Sequence, residues 1–86
     1  MAEVTIYTRS TCGFCFRALS LLQQKGVAYN EISIDQYPEK RAEMIERSNG
    51  GMTVPQIFIN NQSIGGCDDL MALEYKGELD KLLTNN

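Results

Sequence analysis

The sequence predicts an α/β fold with the element order β-α-β-α-β-β-α, a mixed four-stranded sheet flanked by helices. Three observations lead there. A β-branched run from Glu3 to Thr8 hands over, just past Cys12, to apolar residues at helical spacing. A second strand-like run, Tyr29 to Ile34, follows one helix length later, so the first three elements form a parallel crossover unit. Further on, Gln56 to Asn60 and Ser63-Ile64 are separated only by a tight turn, which adds an antiparallel pair.

Each element has its own signal. Glu3 to Thr8 alternates and contains the apolar run Val4-Thr5-Ile6-Tyr7, so it reads as a strand. Cys15, Ala18, Leu19 and Leu22 fall at i, i+3, i+4 and i+7, one face of a helix that Gly26 ends. Tyr29 to Ile34 alternates again. Asp35-Gln36-Tyr37-Pro38 predicts a turn with proline at a helix start. That second helix is expected to turn Ala42 and Ile45 inward and to stop at Asn49-Gly50-Gly51. Gln56 to Asn60 is the third strand, Asn60-Asn61 the hairpin turn, and Ser63-Ile64 the fourth strand, broken by Gly65-Gly66. A final helical region starts near Asp68, with Leu70, Leu73, Leu79, Leu82 and Leu83 as apolar contacts and Gly77 as an interruption.

Composition narrows the class. At 86 residues the chain is read as one domain, residues 1–86, with 43% hydrophobic residues to build its core. No apolar run approaches the roughly 18 residues of a membrane span, and Met1-Ala2-Glu3 does not open a secretory signal. The net charge is −3 and the basic residues are scattered, which argues against a nucleic-acid partner. Three cysteines do not make a disulfide scaffold, and the expected compartment is the reducing cytoplasm. There, a close thiol pair is more often catalytic or metal-binding than structural. With no histidine, a Cys–His pair is excluded, and a structural zinc site, which wants four Cys or His ligands, is short of one.

Cys12-Gly13-Phe14-Cys15 carries the chemistry. The first sulfur is placed where a strand becomes a helix, and helix N-termini offer free N–H donors and a partial positive charge that favour a thiolate. The second lies one turn further on the same face, close enough to attack a disulfide formed at the first. A C-x-x-C beside a β-α-β pattern therefore reads as a redox motif.

With that motif after the first strand, the element order looks like the thioredoxin fold. Thr53-Val54-Pro55, Gly65-Gly66 and Cys67-Asp68-Asp69, together with Arg9 ahead of the cysteines, make the chain resemble a glutaredoxin of the small bacterial dithiol type. The resemblance covers essentially the whole chain. It departs at Gly13-Phe14, where the family usually has Pro-Tyr, and in Asn49-Gly50-Gly51-Met52, which looks longer than usual.

The resemblance implies a glutathione-dependent thiol–disulfide oxidoreductase acting on glutathionylated or disulfide-containing proteins. Cys12 would be the nucleophile and Cys15 the resolving thiol. Thr53, Val54 and Pro55 would form a cis-proline loop whose Val54 backbone pairs with the cysteinyl part of glutathione. Gly66, Cys67, Asp68 and Asp69 would take the γ-glutamyl end, with Asp69 accepting from its α-ammonium group and Cys67 serving through its backbone N–H. Arg9 and Arg41 are candidates for the glycine carboxylate, and Phe14 for an apolar wall beside the sulfur. The expected state is a monomer. The alternative reading is a glutathione-ligated [2Fe–2S] cluster bridging two protomers through the first cysteine of each.

Overall fold

The structure, a computed structural model, describes residues 2–84. β1 (Val4–Thr8) is an inner strand, and all five of its residues are buried. It pairs in parallel with β2 (Asn30–Ser33), placing Tyr7 opposite Ile32. On its other side it runs antiparallel to β3 (Gln56–Ile59), with Thr5 opposite Phe58. β3 then pairs antiparallel with β4 (Gln62–Gly65), giving the order β2-β1-β3-β4. The mixed four-stranded sheet is the one the sequence predicts.

Among the described residues four helices cover it: α1 (Gly13–Gln24), α2 (Lys40–Arg47), α3 (Cys67–Tyr75) and α4 (Leu79–Thr84). Successive residues of a strand point to opposite faces, so β1 feeds two cores at once. Val4 and Ile6 join Ala18, Leu21 and Leu22 of α1, Leu70 of α3, and Leu79 and Leu83 of α4. Tyr7 turns to the other face and meets Met44 of α2 and Phe58 of β3. Helices on both faces explain why the alternation of β1 separates two interiors and not interior from solvent.

The interruption expected at Gly77 is present: it sits at φ +72° between α3 and α4, and Glu78 N–H closes back on the Leu73 carbonyl at 2.9 Å. One expectation needs correction. In α2 Met44 is fully buried and Ile45, as expected, packs half-buried against the same core, while Ala42, also expected inward, is exposed. The cause is the shape of the smaller core. Tyr7 and Phe58 meet edge to face, centroids 5.6 Å apart, and a long flexible thioether fills the space beside them where an alanine could not. Polar groups close the top of this core. The Tyr7 hydroxyl donates to Glu43, Arg47 Nη1 donates to that hydroxyl at 2.7 Å, and the guanidinium lies 4.3 Å from the Phe58 ring centroid.

The C-terminal end of β1, the loop entering β3 and the exit of β4 all lie at one end of the sheet, as the antiparallel pairings require. The turn before α1, the 48–55 loop and the Gly65-Gly66 turn are thereby gathered together.

Candidate active site

Cys12 is the N-cap of α1. Its backbone is extended (φ −122°, ψ 106°), and its Sγ accepts the Cys15 N–H at 3.1 Å. This is the cap position that Ser, Thr or Asp usually fill, here occupied by sulfur. No acidic residue stands in the first turn of the helix. The thiol is half-buried and donates to the Val54 carbonyl oxygen at 3.8 Å. The nucleophile candidate therefore lies against the 53–55 loop, and the Val54–Pro55 bond is cis, as the resemblance implies.

Cys15 is differently placed. It is 2% exposed, and burial, reinforced by the neighbouring Cys12 sulfur, pushes its thiol up to about 12, against a partial lowering by Arg9. At neutral pH it stays protonated. Cys67, also buried, has its thiol raised, chiefly by burial.

The Cys15 shift has a consequence for stability. A thiol raised in the folded state keeps its proton where the unfolded chain has lost it, so the stabilisation is complete below the unfolded value near 9 and is lost as pH rises toward 12. One such proton sets a limiting slope of about 1.4 kcal/mol per pH unit. Urea titrations of the reduced protein between these limits should show wild type losing stability faster than Cys15→Ala. Parallel pH profiles would contradict the assignment.

A cleft of about 610 Å³ is lined by Val54, whose carbonyl the Cys12 thiol meets. It is lined by eight of the predicted residues, Phe14, Thr53, Val54, Pro55, Gly66, Cys67, Asp68 and Asp69. The turn from β4 into α3 shapes its far end. A Cβ on Gly66 would lie 3.4 Å from the Pro55 carbonyl oxygen, so the turn and the cis-proline loop are in close approach. Asp69 folds back to accept the Gly66 N–H at 3.0 Å, capping α3 with its own third residue. The capping that competes with a binding role for Asp69 is therefore present, and a carboxylate with two oxygens has acceptor sites left over.

Sequence reasoning missed three lining residues, Ser48, Gly51 and Gln56. Ser48 Oγ accepts the Gly51 N–H at 2.9 Å and so folds the loop under the cleft. Gln56 is buried, and a Cβ on Gly51 would come within 2.7 Å of its amide nitrogen. A serine three residues before a glycine at a helix end was the available signal.

Arg9 and Cys12 line a second, smaller cleft of about 220 Å³, with Thr8, Cys15, Phe16 and Glu31 among its walls. Cys12 thus lines the smaller cleft with Phe16 (76% exposed), while Phe14 (57% exposed) and Val54, the hydrogen-bond partner of Cys12, line the other. Arg41, exposed on α2, lines neither cleft. Another opening of about 630 Å³ lies between β4, α3 and α4, sharing Asp69 with the cleft lined by Val54 but containing no cysteine.

Comparison with known proteins agrees with this geometry. The glutaredoxin family model matches residues 4–64. Glutaredoxin 3 of Escherichia coli (strain K12) is 59% identical over 83 residues, covering 96% of this chain and 99% of that one. The crystal structure of the buckwheat glutaredoxin–glutathione complex superposes with a TM-score of 0.87 at 31% identity, over 96% of this chain and 77% of that one. A structure described as "Metal Binding of Glutaredoxins" superposes with a TM-score of 0.73 at 54% identity, over 99% and 91% of the two chains.

Proposed function

The chain belongs to the glutaredoxin family and is a glutathione-dependent thiol–disulfide oxidoreductase, and from that premise we propose how its residues divide the work. Cys12 is the nucleophile. Its thiolate attacks the glutathionyl sulfur of a mixed disulfide, the target protein leaves as a thiolate, and glutathione stays on Cys12. A second glutathione thiolate attacks that adduct, releasing oxidised glutathione and regenerating Cys12. With a protein disulfide, Cys15 instead attacks Cys12 and closes an intramolecular bond, which glutathione later reduces.

One observation carries this assignment. The half-buried Cys12 sulfur sits at a helix N-cap, hydrogen-bonded to the carbonyl of a residue lining the larger cleft. Glutathione lies in that cleft. Its cysteinyl backbone pairs with Val54 beside Thr53 and Pro55, and its γ-glutamyl carboxylate lies at the N-terminus of α3 near Gly66, Cys67 and Asp68. Asp69 accepts from the ammonium group while holding its cap, and Phe14 covers the sulfur. Arg9, across the sulfur in the second cleft, takes the glycine carboxylate. Arg41 is left without a part in the cleft.

The working unit is a monomer of one domain in a reducing cytoplasm, serving glutathionylated or disulfide-containing proteins. Among the described residues no helix is long and apolar enough to cross a membrane. The same residues contain no group of three or more His, Cys, Asp or Glu arranged for a metal ion. With Cys15 and Cys67 buried, one chain offers a [2Fe–2S] cluster only the Cys12 sulfur, so such a cluster needs a second copy and glutathione ligands.

The test is to charge Cys15→Ser with glutathione at Cys12 and compare amide NMR shifts with the reduced variant. The largest changes should fall on Phe14, Thr53, Val54 and 66–69, with α4 unmoved. Changes confined to the second cleft would overturn the proposed binding mode.

A further inference from the structure

The smaller cleft contains a carboxylate that the cycle above does not use. Closing the Cys12–Cys15 bond requires the Cys15 thiol to give up its proton, and bulk water scarcely reaches a side chain 2% exposed. The larger cleft is not lined by Cys15; the smaller one is. Its titratable and charged walls are Arg9, Cys12, Cys15 and Glu31. Arginine is a cation that accepts no proton, and Cys12 is tied up in the mixed disulfide when Cys15 must react. Among the chain's own groups in the cleft, Glu31 is what remains.

Its placement is specific. Glu31 stands opposite Ile6 in the β1–β2 ladder, yet its Oε2 accepts from Thr8 Oγ1 at 2.8 Å, two residues nearer the active-site end. Thr8 is itself 2% exposed, so the hydroxyl is a fixed anchor. It leaves Oε1 without a protein donor among the described residues. Glu31 and Cys15 both line this cleft, which at about 220 Å³ is large enough to admit water.

We propose that Glu31 is the proton acceptor for Cys15 in the dithiol half of the cycle, acting through water in the smaller cleft. Cys15 Sγ forms the bond to Cys12 Sγ, the bond from Cys12 Sγ to the substrate sulfur breaks, and that sulfur departs with the electron pair as a thiolate. The Cys15 proton passes to the Glu31 carboxylate and from there to solvent. The step is an exchange of one disulfide for another and needs no further oxidant. The glutathione-only route never ionises Cys15 and is indifferent to Glu31. This inference rests on Cys15 being the resolving thiol.

The experiment mixes reduced protein with excess oxidised glutathione in a stopped-flow instrument and follows glutathione release. The first equivalent appears as glutathione loads Cys12, the second as Cys15 closes the ring. Glu31→Gln should slow the second release about tenfold, at the low end of general-base effects because water remains in the cleft. The first release is the internal control for folding and should stay within about twofold. Added formate, a small carboxylate, should restore part of the second release in the variant. A second release unchanged in Glu31→Gln overturns the proposal. So does an equal loss in both phases, or a slowed second release that formate does not touch, since either marks a structural role. A wild type that releases only one equivalent defeats the resolving-thiol reading itself, a distinguishable failure.

Discussion

Cys12→Ser should abolish turnover of glutathione mixed disulfides, whereas Cys15→Ser should keep most of it. A serine hydroxyl at the N-cap would still accept the Cys15 N–H, so the helix start survives and the loss is chemical. No other thiol can take over: Cys15 is 2% and Cys67 4% exposed, and both are raised by burial. Nor does the chain contain a histidine to ionise a hydroxyl in place of a thiol. The rate should fall by a factor on the order of 10³ or more, toward uncatalysed exchange. Cys15→Ser removes only the group that closes the ring, so reduction of a protein disulfide should fall while deglutathionylation persists. A glutathione-coupled assay of a small mixed disulfide, run beside a protein disulfide, reads both. Full activity in Cys12→Ser would remove the scheme.

How much of this was legible in the chain depends on how local the cause is. The strand before the cysteines, the helix after them and the hairpin at Asn60-Asn61 follow from spacing and turn chemistry within a few residues; both asparagines adopt positive φ, 52° and 65°. The thiol pair and the turn at Gly65-Gly66 were likewise readable, because glycine and cysteine patterns carry their geometry with them. What could not be read arises from contacts between distant segments. Met44, and not Ala42, turns inward because Tyr7 and Phe58, far away in sequence, leave a space of a particular shape. Glu31 looks like an ordinary outward residue of an outer strand until Thr8 draws its carboxylate along the sheet. That Cys12 lines one cleft and hydrogen-bonds a residue lining the other is a property of three loops meeting at one end of the sheet, which no periodicity encodes.

Gly65→Ala should be strongly destabilising, because two costs fall on one atom. Gly65 has φ +110°, a conformation L-residues avoid, and its strain is of order 1–3 kcal/mol for any side chain. An added Cβ would also lie 2.2 Å from Asp69 Oδ2. The carboxylate must then swing away, and the cap on Gly66 N–H goes with it, costing about 0.5–2 kcal/mol more. Together, a loss of about 1.5–5 kcal/mol is expected in urea denaturation. The same displacement takes Asp69 from the position proposed for the α-ammonium group, so the KM for glutathione should rise as well. Gly77→Ala separates the two effects. Gly77 has φ +72° with nothing within 4 Å of a Cβ, so it should cost only backbone strain, about 1–2 kcal/mol, and leave the KM unchanged. If Gly65→Ala destabilises no more than Gly77→Ala and binds glutathione normally, Asp69 neither caps nor binds as described. A raised KM in Gly65→Ala alone would tie the helix cap and the γ-glutamyl site to the same carboxylate.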